Sequence, residues 1–155
     1  MRRVRGLLAL GLVVAGCDGG GDGGERLSKA EFISQADAIC RKYEARLDAL
    51  GQPTNVSELR SFADKALPIA REGREELGRL EPPAELENTY DSWLEHGDEA
   101  IEIVERLRDA AAENDQAEIQ QIARDAEETD RESNRLAAEI GFEQCGEGAG
   151  ASPTS

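Results

Sequence analysis

The chain has one histidine, His96, which lies one helical turn before Glu99 if this segment is helical. An imidazole and a carboxylate at that spacing could share a metal ion. Dinuclear carboxylate bundles, however, use a Glu-x-x-His pattern on two helices, whereas position 93 here is Trp93 and the chain offers no second histidine. We therefore expect a solvated or hydrogen-bonded histidine, with no metal and no cofactor.

A possible ligand pocket surrounds the same segment. It combines small, aromatic and polar residues, which would form a loosely packed layer in the middle of the bundle if they lay at the same level along the bundle axis. Its predicted members are Trp93, His96, Gly97 and Asn134, with Pro68, Gly73, Thr129 and Ser133 nearby. Aromatic residues at helical spacing more often fill a core, so ordinary core packing is the alternative.

No arrangement of residues in the sequence points to catalysis. Pairs of carboxylates at four-residue spacing are expected by chance in a chain with 33 acidic residues. The sequence contains no nucleophile elbow, no phosphate-binding glycine loop after a strand, no haem attachment motif and no calcium loop. We assign no catalytic residue and expect that the protein is not an enzyme.

The N-terminus has the order of a secretory signal, in which basic residues precede an apolar run. The basic residues are Arg2, Arg3 and Arg5. The apolar run at 6–16 would extend only about 16 Å as a helix, which is too short for a hydrocarbon core about 30 Å thick. The sequence Val14-Ala15-Gly16-Cys17 resembles the lipobox of bacterial lipoproteins. This resemblance implies that residues 1–16 are removed and that Cys17 receives a lipid such as palmitate. A cleaved signal followed by an incidental cysteine is the alternative.

Glycine-rich sequence after Cys17 predicts a flexible tether, and we place the lipidated cysteine and tether at 17–27. The formal charge of −15 becomes −18 when the three arginines of residues 1–16 are removed. Such a charge disfavours nucleic acid and anionic head groups, so acyl chains must provide the anchoring. We expect a protein anchored by lipid to the cell membrane, on its extracytoplasmic face.

The remaining two cysteines, Cys40 and Cys145, would lie in a compartment that permits disulfides. We expect them to be bonded to each other. Two free, buried thiols are the alternative. A zinc site is disfavoured because the chain has one histidine and no closely spaced cysteine pair.

Helix-favouring residues separated by glycine and proline predict four helices. The first begins at Ser28, where Glu31 completes a capping box and Leu27 and Phe32 occupy the positions of a hydrophobic staple. The second spans about 57–80, with a kink or short break expected at Pro68.

The third helix is predicted to begin with Pro83 and to end near Glu113. Asp115 and Glu118 repeat the capping-box spacing at the start of the fourth helix, and Gly141 is its expected left-handed stop. The middle of this fourth helix is poor in large apolar residues.

Four helices of similar length joined by short connections favour an all-α, antiparallel up-and-down four-helix bundle. In such a bundle the fourth helix ends near the start of the first, which would bring Cys145 close to Cys40. We therefore predict a bundle domain at 28–146 tied by one disulfide, followed by a disordered tail at 147–155.

The two cysteine-bearing ends, Ala36-Asp37-Ala38-Ile39-Cys40 and Gly141-Phe142-Glu143-Gln144-Cys145-Gly146, resemble those of small, uncharacterised helical bacterial lipoproteins. The resemblance implies a disulfide-tied helical domain outside the cytoplasm, and no activity comes with it. Our leading hypothesis is a non-enzymatic module that binds an envelope protein or helps to organise the envelope. The alternative is a lipid-tethered protein that binds a small molecule or a cation near Trp93 and Gly97.

Overall fold

The computed structural model describes residues 26–146, and these residues form four helices and no strand. The helices are α1 (Lys29–Asp48), α2 (Val56–Leu77), α3 (Glu87–Glu113) and α4 (Gln116–Ile140). The predicted antiparallel up-and-down bundle is confirmed. The predicted signal peptide, the lipidated Cys17 with most of the tether, and the tail at 147–155 lie outside the described residues. Within 26–146, no helix has both the length and the apolar character needed to cross a membrane.

The start of α1 is the capping box that the sequence predicts. The side chain of Ser28 accepts a hydrogen bond from the backbone N–H of Glu31, and the Glu31 carboxylate accepts one from the backbone N–H of Ser28 at 3.1 Å. Leu27 packs against the core cluster that contains the buried Phe32. The entry of the chain into the bundle is therefore fixed by both polar and apolar contacts.

α2 begins slightly earlier than predicted, because Asn55 is its N-cap and accepts a hydrogen bond from the backbone N–H of Glu58 at 3.1 Å. It remains one helix through Pro68, so the break considered there does not occur. Buried Leu67 and Ile69 hold the flanking turns against the bundle, which offsets the loss of one backbone hydrogen bond. The helix ends at Leu77, three residues before the predicted end.

The predicted start of α3 at Pro83 is wrong. Residues 83–86 instead form a turn in which the backbone N–H of Leu86 bonds to the carbonyl of Pro83 at 2.9 Å, and α3 begins at Glu87. This turn places the Leu86 side chain in the core. A proline is equally compatible with a turn and with a first helical turn, so its position alone does not decide between them.

α4 has the boundaries that its capping residues predict. The Asp115 side chain accepts hydrogen bonds from the backbone N–H groups of Ala117 and Glu118, each at 3.0 Å. At the other end, Gly141 adopts a left-handed conformation with φ of 101°. The backbone N–H of Phe142 then bonds back to the carbonyl of Ala137, which turns the Phe142 side chain into the core.

An aromatic cluster fills the end of the bundle where α1 begins and α4 ends. Phe32 meets Tyr90 edge to face at 4.8 Å between ring centroids, and Trp93 meets Phe142 in the same way at 5.2 Å. The buried Tyr90 hydroxyl donates a hydrogen bond to the carbonyl of Leu77 at 2.7 Å. Burial raises the pKa of Tyr90, so its hydroxyl stays protonated as a donor.

The predicted bond between Cys40 and Cys145 is confirmed, with 5.3 Å between their Cα atoms. It joins α1 to the segment after α4. Along the bundle, the closely packed helix pairs are α1 with α2, α2 with α3, and α3 with α4. Since α1 and α4 do not pack to a comparable extent, the disulfide closes the bundle at one end and leaves these two helices less tightly joined beyond it.

Candidate functional site: a cleft among the four helices

A cleft of about 380 Å³ lies in the middle of the bundle and receives side chains from all four helices. Small-molecule sites in proteins usually occupy about 300 to 1,000 Å³ and are mostly apolar with a few polar groups. Large apolar side chains line this cleft, among them Leu47 of α1, Leu77 of α2, and Ile101 and Val104 of α3. The cavity is therefore large enough, and apolar enough, to receive a small molecule.

Small residues on facing helices explain why the bundle is not filled at this height. Gly97 and Ala100 of α3 and Ala126 of α4 line the cleft. One to three turns away on α4, the larger Ile122 and Leu136 are buried in the bundle. The shortage of large apolar residues in the middle of α4 is thus the sequence feature that produces the cavity.

Tyr43 forms a rigid part of the wall between α1 and α2. Its hydroxyl donates a hydrogen bond to the Glu76 carboxylate at 2.6 Å, and Lys42 pairs with the same carboxylate. These two partners lower the pKa of Glu76, so the acceptor remains ionised. The Tyr43 ring also needs Gly73, because a Cβ atom at that position would lie 2.9 Å from the ring Cγ.

Arg74 connects α2 to α3 at the side of the cleft. Its Nε donates to the carbonyl of Leu94 at 3.1 Å, and its Nη2 pairs with Asp98 at 2.8 Å. Gly97 leaves space for this side chain, whose Cδ would be 3.4 Å from a Cβ atom there. The guanidinium group therefore already has an acidic partner before any ligand is considered.

Asp130 brings a negative charge from α4 to the cleft lining. Among the residues that the structure describes, its carboxylate has no hydrogen-bond donor and no ion-pair partner. Desolvation by the surrounding atoms raises the pKa of its carboxyl group. Asp130 as a whole is nevertheless exposed to solvent, so its carboxylate is a solvated charge at the cleft lining.

Trp93 supplies the largest aromatic surface of the cleft. Only 8% of the residue is exposed, and its ring stacks on Tyr90 with 5.8 Å between centroids. Its indole Nε1 is buried and has no hydrogen-bond acceptor within 26–146. A buried donor without an acceptor costs free energy, and such groups often mark places where another molecule completes the hydrogen bonding.

The structure brings only part of the predicted pocket together. Trp93 and Gly97 line the cleft with Gly73 and Thr129, whereas His96, Asn134, Pro68 and Ser133 do not. Asn134 is exposed, because twelve residues at 3.6 per turn rotate it about 120° from the buried Ile122 on the same helix.

His96 lies on a neighbouring polar surface between α3 and α4. Its Nδ1 is 2.7 Å from a carboxylate oxygen of Glu99, which gives it the hydrogen-bonded environment expected of a surface histidine. Asp125 and Glu132 line the same surface depression. No group of three or more His, Cys, Asp or Glu side chains in the described part of the chain is arranged to hold a metal ion.

Two acidic residues of the cleft were missed by the sequence analysis, Glu44 of α1 and Asp130 of α4. A signal for Asp130 was available, since it follows the inward-facing Ala126 by four residues and so lies on nearly the same helix face. In a chain so rich in acids, that spacing does not distinguish one carboxylate from many others.

Comparison of this chain with family models, with curated proteins and with solved structures found no match. The cleft, its aromatic wall and its acidic residues are the features of the molecule from which a function can be inferred.

Proposed function

We propose that this protein is an extracytoplasmic lipoprotein, anchored in the cell membrane through Cys17, whose helical domain is a non-enzymatic binding module. We further propose that the module binds a small, largely apolar molecule in the cleft. The observation that carries this proposal is the cavity of about 380 Å³ that all four helices line with mainly apolar side chains.

The apolar lining favours a small-molecule ligand over water alone as the occupant. Leu47, Leu77 and Val104 offer no hydrogen bonds, so an apolar group that displaces water from them gains free energy. The rigid aromatic groups, Tyr43 and Trp93, would lose little side-chain entropy when a ligand binds. The cavity thus combines a hydrophobic driving force with a preorganised wall.

The anchoring part of the proposal is supported by the lipobox-like sequence before Cys17. The described chain enters the bundle at Arg26, which pairs with Glu87 at 2.8 Å near the start of α3. If the nine residues 17–25 form the flexible tether that the sequence predicts, its root-mean-square length would be about 15 to 18 Å. A lipid on Cys17 would therefore keep the disulfide-bearing end of the bundle close to the membrane.

Binding to an envelope protein, our leading hypothesis from the sequence, remains a prediction. The cleft favours the small-molecule alternative, because a concave apolar surface lined by all four helices suits a compact ligand better than an extended protein surface. The two functions are compatible in one anchored module.

The test uses the full chain carrying Cys17→Ser, prepared without lipid and with the disulfide intact. 1-Octanol serves as a neutral apolar probe, and the fluorescence of the single tryptophan, Trp93, reports on the cleft. We expect octanol to change the Trp93 emission in a saturable manner and to raise the melting temperature.

Ala126→Leu fills the cleft, whereas Ala123→Leu adds the same atoms at an exposed site on the same helix. We expect the first variant to weaken octanol binding about tenfold or more and the second to leave it unchanged. Absence of saturable octanol binding to the parent chain, or an equal effect of both variants, would overturn the proposed function.

A further inference from the structure

We propose that the cleft binds a lipid with an uncharged head and one unbranched hydrocarbon chain, of which about 10 to 13 carbons lie in the cleft parallel to the helices. This inference rests on the proposed function, because it names the chemical class of the ligand in the same cleft. The chain ends beside Trp93, and the head remains in solvent at the opposite end of the cleft. The protein therefore recognises a lipid by the length and width of its hydrocarbon chain.

The cleft is elongated along the bundle axis. On α3 its lining extends from Trp93 to Val104, which are 11 residues or about 16 Å apart along the helix. On α1 it extends from Ile39 to Leu47, which are 8 residues or about 12 Å apart. An extended chain of carbon atoms, with bonds of about 1.5 Å at angles of about 111°, advances about 1.25 Å per carbon. The length of the cleft therefore corresponds to about 10 to 13 carbons.

The cleft is also narrow. A volume of about 380 Å³ distributed over this length gives a mean cross-section of about 24 to 32 Å², or a width of about 6 Å. Carbon atoms in van der Waals contact lie about 3.5 to 4.0 Å apart, so a passage of this width holds one hydrocarbon chain and not two chains side by side. Bulky ring systems likewise need more width. A single unbranched chain is therefore the apolar group that fits the shape of the cleft.

The two ends of the cleft differ in burial, and this difference gives the ligand a direction. At the disulfide end, Leu77 and Trp93 are each 8% exposed. At the other end, Leu47 and Val104 are only partly buried. The chain therefore enters at the half-buried end, where α1 and α4 are loosely joined, and its terminal methyl group lies at the buried end. Since the Nε1 of Trp93 is covered by protein atoms, the methyl group meets carbon atoms of the ring.

None of the charged groups in the lining is buried without a partner. Arg74 is paired with Asp98 and with the carbonyl of Leu94. Glu44 has an interaction partner of its own, and Asp130 is exposed to solvent. The cleft thus offers no group that would bind an ionic head specifically, and the formal charge of −15 repels anionic heads. An uncharged head that stays in solvent is compatible with all of these charges.

The acyl chains proposed on Cys17 are less suitable occupants than a separate lipid. Leu27 precedes α1 and Leu47 lies at the half-buried end of the cleft, 20 residues or about 30 Å farther along the helix. A tether of about 15 to 18 Å would have to cover this distance before its acyl chain could enter. The ligand is therefore a separate molecule, and the lipid on Cys17 serves as the anchor.

The experiment uses alkyl maltosides with octyl, decyl, dodecyl and tetradecyl chains, which share one uncharged head. Each is titrated into the full Cys17→Ser chain below its micelle-forming concentration, and Trp93 fluorescence and calorimetry report binding. Because each buried methylene adds a similar free energy, we expect decyl maltoside to bind about tenfold more tightly than octyl maltoside. We expect tetradecyl maltoside to gain less than about threefold over dodecyl maltoside, because its additional methylenes extend beyond the cleft.

Two further probes test the width of the cleft and the charge of the head. Cyclohexyl-hexyl maltoside has the head and the carbon number of dodecyl maltoside but ends in a ring, and we expect it to bind at least about tenfold more weakly. Dodecanoate has an anionic head, and we expect it to bind at least about fivefold more weakly than dodecyl maltoside. Equal or tighter binding of either probe would overturn the inference.

Gly97→Leu tests the position of the chain in the cleft. Gly97 is 7 residues before Val104, so a leucine there would leave about 10 Å of the cleft, enough for about eight carbons. We expect this variant to weaken dodecyl maltoside binding about tenfold and to change octyl maltoside binding by less than about threefold. Ala112→Leu is the matched control, since it adds a leucine at an exposed position of α3 outside the cleft, and it should change neither.

The inference is overturned if affinity rises as much from dodecyl to tetradecyl maltoside as from octyl to decyl maltoside, or if Gly97→Leu weakens all chain lengths equally. The series with the parent chain decides the matter even if Gly97→Leu does not fold. If octanol binds saturably but the maltosides show no dependence on chain length, the inference fails while the proposed function stands. If neither octanol nor any maltoside binds, both fail.

Discussion

The Asp37 carboxylate on α1 accepts a hydrogen bond from the backbone N–H of Gln144 at 2.9 Å, although the two residues are 107 positions apart in the sequence. The same carboxylate accepts bonds from the backbone N–H groups of Glu143 and Cys145 at 3.2 and 3.3 Å. Asp37 is only 6% exposed and is one turn before Cys40. The chain after α4 is thus fixed to α1 both by a buried ionisable side chain and by a disulfide.

Replacing Asp37 by alanine should destabilise the domain by about 1 to 3 kcal/mol, because it leaves three partly buried backbone donors without their acceptor. Chemical denaturation of the parent and the variant would measure this loss. Asp48→Ala, at an exposed position at the end of the same helix, is the control and should change stability by less than about 0.5 kcal/mol. Equal stability of the Asp37 variant and the parent would mean that the segment after α4 does not depend on this carboxylate.

Loss of the disulfide should cost more than loss of Asp37. The bond joins residues separated by 105 positions, and a closed loop of this length corresponds to about 4 to 5 kcal/mol in the chain-entropy model. The double variant Cys40→Ala and Cys145→Ala should therefore unfold at a much lower denaturant concentration than the oxidised parent. Reduction of the parent should reproduce this shift, whereas the double variant should not respond to reductant. Detection of two free thiols by nonreducing mass analysis would contradict the prediction.

Features that depend on neighbouring residues were predictable from the sequence. Ser28 with Glu31 defined the start of α1, and Gly141 with Phe142 defined the end of α4, because each signal lies within one or two turns. The disulfide was also predictable once the helices were arranged up and down. The start of α3 could not be predicted in this way. The turn after Pro83 buries Leu86 in the core, and that core is formed by residues distant in the sequence.

The candidate site could be predicted only in part, since it depends on register between distant helices. Trp93 and Gly97 were recognised because the chain has a single tryptophan and because glycine is unusual inside a predicted helix. Asp37 and Asp130 were not recognised, because their roles come from backbone donors or cavity walls far away in the sequence. Asn134 was assigned to the pocket although its rotation around α4 carries it to the exposed side.

The proposed lipid anchor predicts that cells expressing the full chain incorporate radiolabelled palmitate into the protein, and that Cys17→Ser abolishes the incorporation. Membrane fractions should contain the labelled protein, because two or more acyl chains give stable attachment. Cys40→Ala with Cys145→Ala is the control, and it should retain the label, since these sulfurs are joined to each other. Failure of the parent chain to incorporate label, or its release into the culture supernatant with the leader intact, would exclude the anchor.

Asp130→Asn should make the domain slightly more stable at neutral pH. Desolvation raises the folded-state pKa of Asp130 above its unfolded value, so the folded chain holds this proton more tightly than the unfolded chain. The stabilisation from the protonated carboxyl group is complete below the unfolded pKa of about 3.9 and is lost as the pH rises through the folded pKa. At neutral pH the ionised carboxylate is therefore unfavourable, and a neutral amide removes that cost.

The melting temperature of Asp130→Asn should exceed that of the parent at pH 7, and the difference should shrink toward zero as the pH falls through the acidic range. Glu127→Gln removes the same charge from the exposed face of α4, so subtracting its effect corrects for general repulsion in an acidic chain. The prediction would be contradicted if Asp130→Asn raised the melting temperature at pH 7 by no more than Glu127→Gln does.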